Sequence, residues 1–422
     1  MNYFVRKVLS TATVQIIGKG LAIASGILVA RYIGPEQYGL YGFALSIISL
    51  LVLPVVAGMP NLLVKEIANY NKENKAAFIS GLIIWSRLYV FGSSICVISL
   101  VYIVLMFKNE SFDSMLVSLL MAAVCLIPLR GALTIQGALL NGFRKPALSQ
   151  LATQVFAPLL ILCGLLYSVY FGSSLNALSV IKINILSLLV SVFLIYFISE
   201  RKLKYKSIIP KFEHRKWYSL LLPFSLVAIV LSVNNELATV LLGVIGGNES
   251  VAYFKVAMHA MTLIAFGLSS VNTVIMPDIA RSYKEGDVSK TQQLLTSSVR
   301  ISSLFSVLMV TLLLMYGKEL IGLLFGAEYL PAYPLLVILS IGQLFNVLMG
   351  SVGLVLNMTG NEKLALKSSI YLLIASLVLL PISIFFHSEL GASITVSFLL
   401  IVWNVLRARD VIKNTGLVTW LK

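Results

Sequence analysis

Apolar runs of about twenty residues follow one another along almost the whole chain, each closed by a short polar or Gly/Pro cluster. That length matches what a helix needs to cross about 30 Å of hydrocarbon. Breaking at the clusters predicts about twelve spans, near 9–33, 39–62, 78–106, 114–140, 147–171, 176–199, 217–245, 250–276, 291–316, 331–357, 366–386 and 391–408. The predicted class is an all-α polytopic membrane protein.

Composition agrees. Of 422 residues 59% are hydrophobic and 12% charged, with a mean hydropathy of +0.95; a soluble domain carries about a quarter charged residues. The opening "MNYFVRKVLSTATVQIIGKG" is basic, then apolar, and the run continues to Ala30. With no small-residue cleavage site closing a short core, it reads as a retained first helix rather than a signal peptide. Cys96, Cys125 and Cys163 each sit inside an apolar run. They read as packing residues, and no metal centre, cofactor or disulfide is expected.

A net charge of +15 would suit a nucleic-acid partner, but the placement of the charges points elsewhere. Alternate connections differ sharply in Lys and Arg. One set includes Arg6, Lys65, Arg144, the central segment 200–216, Arg281, Lys363 and Lys413, and totals 23; the other has only Arg31, Lys108 and Lys318. The positive-inside rule then predicts cytoplasmic termini and a cytoplasmic central segment. The charge is explained by topology and headgroups, and no nucleic acid is expected.

The polar clusters also repeat. At a shift of 212 residues Ile33, Gly34 and Tyr41 fall on Ile245, Gly246 and Tyr253, and Glu66, Lys72 and Glu73 fall on Asp278, Lys284 and Glu285. At 218, Gly142 and Lys145 fall on Gly360 and Lys363. Six spans per copy is an even number, so the copies are expected to share one orientation. The predicted plan is two six-helix lobes, 1–199 and 217–422, joined by a basic linker at 200–216 and related by a pseudo-two-fold axis along the membrane normal.

Six bases fall inside spans: Lys19, Arg87, Arg130, Lys182, Lys255 and Arg300. An ionisable group at that depth is costly and usually faces a bundle interior or a watery cavity. Polar or small residues recur at helical spacing around most of them, such as Thr11 and Gln15 with Lys19, or His259 and Thr262 with Lys255. Such stripes line water or let helices approach in lipid, and the pattern alone does not choose. Lys182 and Arg31 lie near span ends and suit either a cavity or snorkelling. Glu236 is the sole in-span acid and suits either a salt bridge or ion coupling, as does His259 beside simple packing. Bases outnumber acids in the spans about six to one, so a central cavity would attract anions; phosphate or diphosphate suits Lys and Arg.

No GxxxxGK[ST] loop, metal-ligand cluster or nucleophile motif occurs. The predicted outer connections are short, which disfavours a membrane glycosyltransferase or polymerase. An enzyme is therefore not expected.

The stretch "ARYIGPEQYGLYGFALSIISL", followed by a span ending in "KEIANY", resembles the start of polysaccharide-biosynthesis flippases of the O-antigen type. These belong to the multidrug/oligosaccharidyl-lipid/polysaccharide (MOP) exporter superfamily, and the resemblance extends over the whole chain in architecture. It implies a MATE-like, two-lobed transporter in the bacterial cytoplasmic (inner) membrane. Such a transporter would turn undecaprenyl-diphosphate-linked oligosaccharide from the cytoplasmic to the outer leaflet by alternating access. A polysaccharide polymerase and chain-length machinery are implied partners, with H⁺ or Na⁺ as the coupling ion. The substrate-binding cations would be Lys19, Arg31, Arg87, Arg130, Lys182, Lys255 and Arg300, and the coupling or salt-bridge groups Glu236 and His259. The family has no fixed signature that assigns these roles. A drug or cation antiporter, which would lean on Glu236, stays open as the alternative. A major-facilitator transporter is less favoured, because "KEIANYNKENK" lacks that family's G-x-x-x-D-R-like motif.

Overall fold

The computed structural model describes residues 3–107, 114–172, 174–202 and 209–420, with side chains left out at 3–12, 201, 202 and 277. Every regular element among them is helical. The helices are α1 (Tyr3–Leu51), α2 (Leu53–Val56), α3 (Met59–Lys72), α4 (Ala76–Phe107), α5 (Ser114–Ala123), α6 (Leu126–Gly142), α7 (Pro146–Gln150) and α8 (Ala157–Tyr170). They continue with α9 (Ala177–Lys202), α10 (His214–Ile245), α11 (Asn248–Lys284), α12 (Val288–Leu324), α13 (Ala332–Leu348), α14 (Val352–Met358) and α15 (Glu362–Thr415). A π-helical turn, Leu151–Phe156, joins α7 to α8. Lys108 and residues 203–208 of the basic linker lie outside the described residues.

Among the described residues nine helices are long and apolar enough to cross a membrane, or ten if α13 and α14, bent by 41°, form one span. The longest continuous stretch, Thr13–Lys72, has 60 residues. Unbroken, it would reach about 90 Å, three times the hydrocarbon thickness. It is broken at Gly34 (φ 76°, ψ 169°), where only glycine sits without strain, and Pro35 follows at the start of the next helical segment, where its missing N–H costs nothing. The 54-residue α15 is also broken, at His387 (φ −136°, ψ 15°) and Ser388 (φ 44°, ψ −128°), without a glycine or a proline.

By packing, the chain divides into two compact units: Thr13–Ile33 with Ala44–Glu236, and Met1–Ala12 with Gly34–Phe43 and Leu237–Lys422. In the first, α6 lies against α3, α4 and α9. In the second, α11 packs on α12 and α13, and α13 on α15. The buried face of α12 shows why these helices associate in lipid. Thr291, Ser298, Ser302, Ser306 and Gly317 recur along it, and Ser306 donates to the Ile264 carbonyl on α11 at 2.9 Å. Small hydroxylated residues let backbones come close and bond across the gap.

Helix ends near the positions that the sequence pairs share a local conformation. Lys75 N–H donates to Tyr70 O and Asp287 N–H to Ser282 O, each closing a helix through a left-handed residue, Asn74 (φ 55°) and Gly286 (φ 76°). That pair keeps the 212 shift. Lys145 N–H to Leu140 O and Asn361 N–H to Leu356 O form a second pair, around Arg144 (φ 59°) and Gly360 (φ 78°), at a shift of 216 rather than 218. Likewise the conformational counterpart of Gly34 is Gly247 (φ 90°, ψ 173°), one residue beyond the Gly246 that sequence alignment chose.

Candidate transport-site cations

In the first unit, Lys19 is half-buried on α1, one residue after Gly18. A side chain at Gly18 would collide with Gln154 of the π-helical turn, so α1 runs close against that turn. π-Turns inside helices occur frequently at functional sites. Arg130 on α6 donates from Nη1 to Ser49 Oγ at 3.1 Å, and Ser49 in turn donates to the Leu45 carbonyl. Arg87 on α4 forms an ion pair with Glu200 of α9 (Nη2–Oε1 3.2 Å) and lies over the Tyr196 ring at 5.1 Å. The Glu200 side chain is only 9% exposed, so this is a bridge between two helices. Arg87 and Arg130 thus answer to different partners.

Arg31 and Lys182 are exposed. Lys182 shares its face of α9 with exposed Leu186, Leu189 and Phe193 at helical spacing. Glu236 is half-buried on α10.

In the second unit, Lys255 and His259 stand four residues apart on one face of α11. The Lys255 stem passes Gly42 closely enough that a Cβ there would meet its Cγ and Cε at 3.4 Å. His259 Nε2 is hydrogen-bonded with the Tyr38 hydroxyl at 3.2 Å, and its ring stacks on Phe325 with centroids 6.0 Å apart. Tyr329 meets Tyr38 and Tyr253 edge-on at 6.1 and 6.4 Å. Arg300 stands on the opposite, exposed face of α12, with Leu304, Val307 and Leu308.

Three features escaped the sequence reading. The first is the aromatic nest around His259; the recurrence of Tyr41 at Tyr253 was its only trace. The second is the buried Glu66 of "KEIANY", whose Oε2 meets Lys216 Nζ at 2.5 Å. Tyr70, one turn on, accepts from Trp217 Nε1 at 3.0 Å and donates to Glu213. That hydrogen bond from Tyr70 holds the Glu213 carboxyl, just before α10, below its ordinary range. The spacing of Glu66 and Tyr70 already puts both on one helix face, a usable signal. The third is Arg407, a buried base near the end of α15. It donates from Nε to Ser368 Oγ (2.9 Å) and from Nη2 to Ala365 O and Ser369 Oγ (3.0 Å each), and stacks on Trp403. No cluster of His, Cys, Asp and Glu suited to a metal occurs among the described residues.

A chain of apolar helices with bases set among them has the form of a membrane transporter, and comparison with solved structures shows that fold. The chain superposes on an inward-facing multidrug resistance MATE family transporter of the MOP superfamily with TM-score 0.74, covering 96% of this chain and 99% of that one at 15% identity. It superposes on the lipid II flippase MurJ in an inward closed conformation with TM-score 0.76, covering 95% and 87% at 16% identity. The family model described as polysaccharide biosynthesis protein matches residues 4–283, and the chain belongs to that family. It is also 27% identical over 196 residues to the capsular polysaccharide biosynthesis protein CapF of Staphylococcus aureus. That alignment covers 46% of this chain and about half the length of the relative, 49%.

Proposed function

We propose that the chain is a flippase for an undecaprenyl-diphosphate-linked oligosaccharide, moving it from the cytoplasmic to the outer leaflet of the bacterial inner membrane. The observation that carries this reading is the excess of in-span bases over acids in a polysaccharide biosynthesis protein with a MOP-type fold. The MurJ likeness supports it by fold, since that protein is itself described as a lipid flippase. The breaks in α1 and α15, with α13 and α14 taken as one bent span, support twelve crossings in two lobes, 1–199 and 217–422. Even crossings and the Lys/Arg bias support cytoplasmic termini.

Lys19, Arg130 and Lys255 are assigned to the diphosphate, because each is half-buried within its own unit. Arg87 is assigned to structure, because Glu200 already engages it. Arg31, Lys182 and Arg300, all exposed, contribute less. The oligosaccharide polymerase would take the product, and a proton or sodium gradient would drive release, with Glu236 and His259 as coupling groups.

The test is surface-polysaccharide export in cells carrying Lys19→Ala, Arg130→Ala or Lys255→Ala, with membrane insertion checked in parallel. Each is expected to lower export at least about tenfold, the worth of a charge-assisted hydrogen bond to phosphate, at wild-type protein level. Normal export in all three contradicts the assignment. Normal polysaccharide export in all three variants, with export of a drug or organic cation lost in Glu236→Gln, favours the antiporter reading instead.

A further inference from the structure

Beyond the transport reading, and independent of it, the second unit carries a groove of about 780 Å³ between the C-terminal ends of α13 and α15. Phe345, Leu348 and Met349 form one wall, Val405 and Ile412 the other, and Trp420 closes an end. That volume lies within the range of small-molecule sites.

The groove is built by the chain's last described residues. After Gly416 (φ 70°) ends α15, the chain folds back, and Val418 exchanges two hydrogen bonds with the Gln292 side chain, at 2.8 and 2.9 Å. Leu417 and Thr419 are buried, and Thr419 O lies so near Gly350 that a Cβ there would sit 2.2 Å away. Trp420 is thereby held against the Met349 side of the groove. Two cations, Arg409 and Lys413, one helical turn apart on α15 and both exposed, line the otherwise apolar groove.

We infer that this groove holds one anionic phospholipid, its acyl chain along the apolar walls and its phosphate between Arg409 and Lys413. Charge complementarity selects the occupant: basic pockets between transmembrane helices recognise anionic headgroups. Trp420, apolar in body with one N–H donor, suits the same interfacial depth. A zwitterionic lipid such as phosphatidylcholine also presents a phosphate, but its own ammonium offsets that charge and is repelled by Arg409 and Lys413, so it gains less than an anionic lipid.

The test is native mass spectrometry of the full chain in mild detergent, titrated with phosphatidylglycerol or phosphatidylcholine. One phosphatidylglycerol per chain is expected, and phosphatidylcholine should bind at least about tenfold more weakly. Arg409→Ala/Lys413→Ala should weaken phosphatidylglycerol about 25-fold, roughly fivefold per charge. Val405→Trp, placed at an exposed position to fill the groove, should weaken both lipids while far-UV circular dichroism stays unchanged, and it decides the matter if the double variant misfolds. Equal binding of the two lipids, or wild-type phosphatidylglycerol binding in the correctly folded variants, overturns the inference. Displacement of phosphatidylglycerol by a polyprenyl diphosphate at equal concentration overturns the lipid class.

Discussion

In the unit of residues 13–33 and 44–236 two cations are met by carboxylates, Arg87 by Glu200 and Lys216 by Glu66, while Arg130 is met by the Ser49 hydroxyl. In the unit containing 237–422, Arg407 is met by two serine hydroxyls and a backbone carbonyl, and among the described residues no carboxylate reaches it. The first arrangement cancels charge within the protein. The second satisfies every directional demand of the guanidinium groups it engages while leaving the charge itself uncancelled. Arg407 is thus held in place without an acid. Arg407 itself is a packing residue; it shows that this unit tolerates positive charge at depth.

The largest break in that comparison comes from Lys216→Ala. Glu66 is 2% exposed in its side chain and Lys216 45%, so the variant strands a buried carboxylate. A loss of roughly 2–3 kcal/mol is expected, below the full value of a buried pair because Lys216 is partly solvated. The double variant Glu66→Gln/Lys216→Gln should recover part of it, read as a coupling energy from detergent unfolding curves. Arg407→Ala comes next, at roughly 1–2 kcal/mol, because both serine hydroxyls already donate to Ala365 O and lose only an incoming bond. Raising salt sharpens the contrast: it should weaken the Lys216 corner and leave Arg407 unaffected. The smallest effect is acid sensitivity. Glu213 has a depressed pKa when folded, through Tyr70, so its contribution is fully present above the unfolded pKa and fades as pH falls through the folded one. Glu213→Gln should flatten the stability curve on the acid side of the ordinary carboxylate range, with little change at neutral pH.

Most of the helices were legible, because lipid imposes length and polarity limits that the sequence must obey. The break at "IGPEQYG" was legible too, since Gly34 adopts a conformation open to glycine and Pro35 can begin a helix. The register of the repeat was less so. Gly246 and Gly247 are adjacent glycines, and only backbone angles show that Gly247 matches Gly34. Similarly, Asn74 and Arg144 hold left-handed positions where the second copy has glycine, so identity fades while conformation persists. In-span bases could be located but not sorted. Arg87 and Arg130 look alike in sequence, and what separates them, Glu200 against Ser49, comes from residues 113 and 81 positions away. The burial of Arg407 was hidden for a related reason: charge near a span end says nothing of which helix face carries it.

The most direct measurement places a fluorescent polyprenyl-diphosphate oligosaccharide in proteoliposomes and follows its exposure to a membrane-impermeant quencher. Wild-type protein is expected to expose the inner pool, Lys19→Ala/Arg130→Ala/Lys255→Ala to leave it at the protein-free background, and an uncharged polyprenyl glycoside to stay put in both. Equal movement of the charged and uncharged lipids, or wild-type movement by the triple variant, would contradict a cation-dependent flippase.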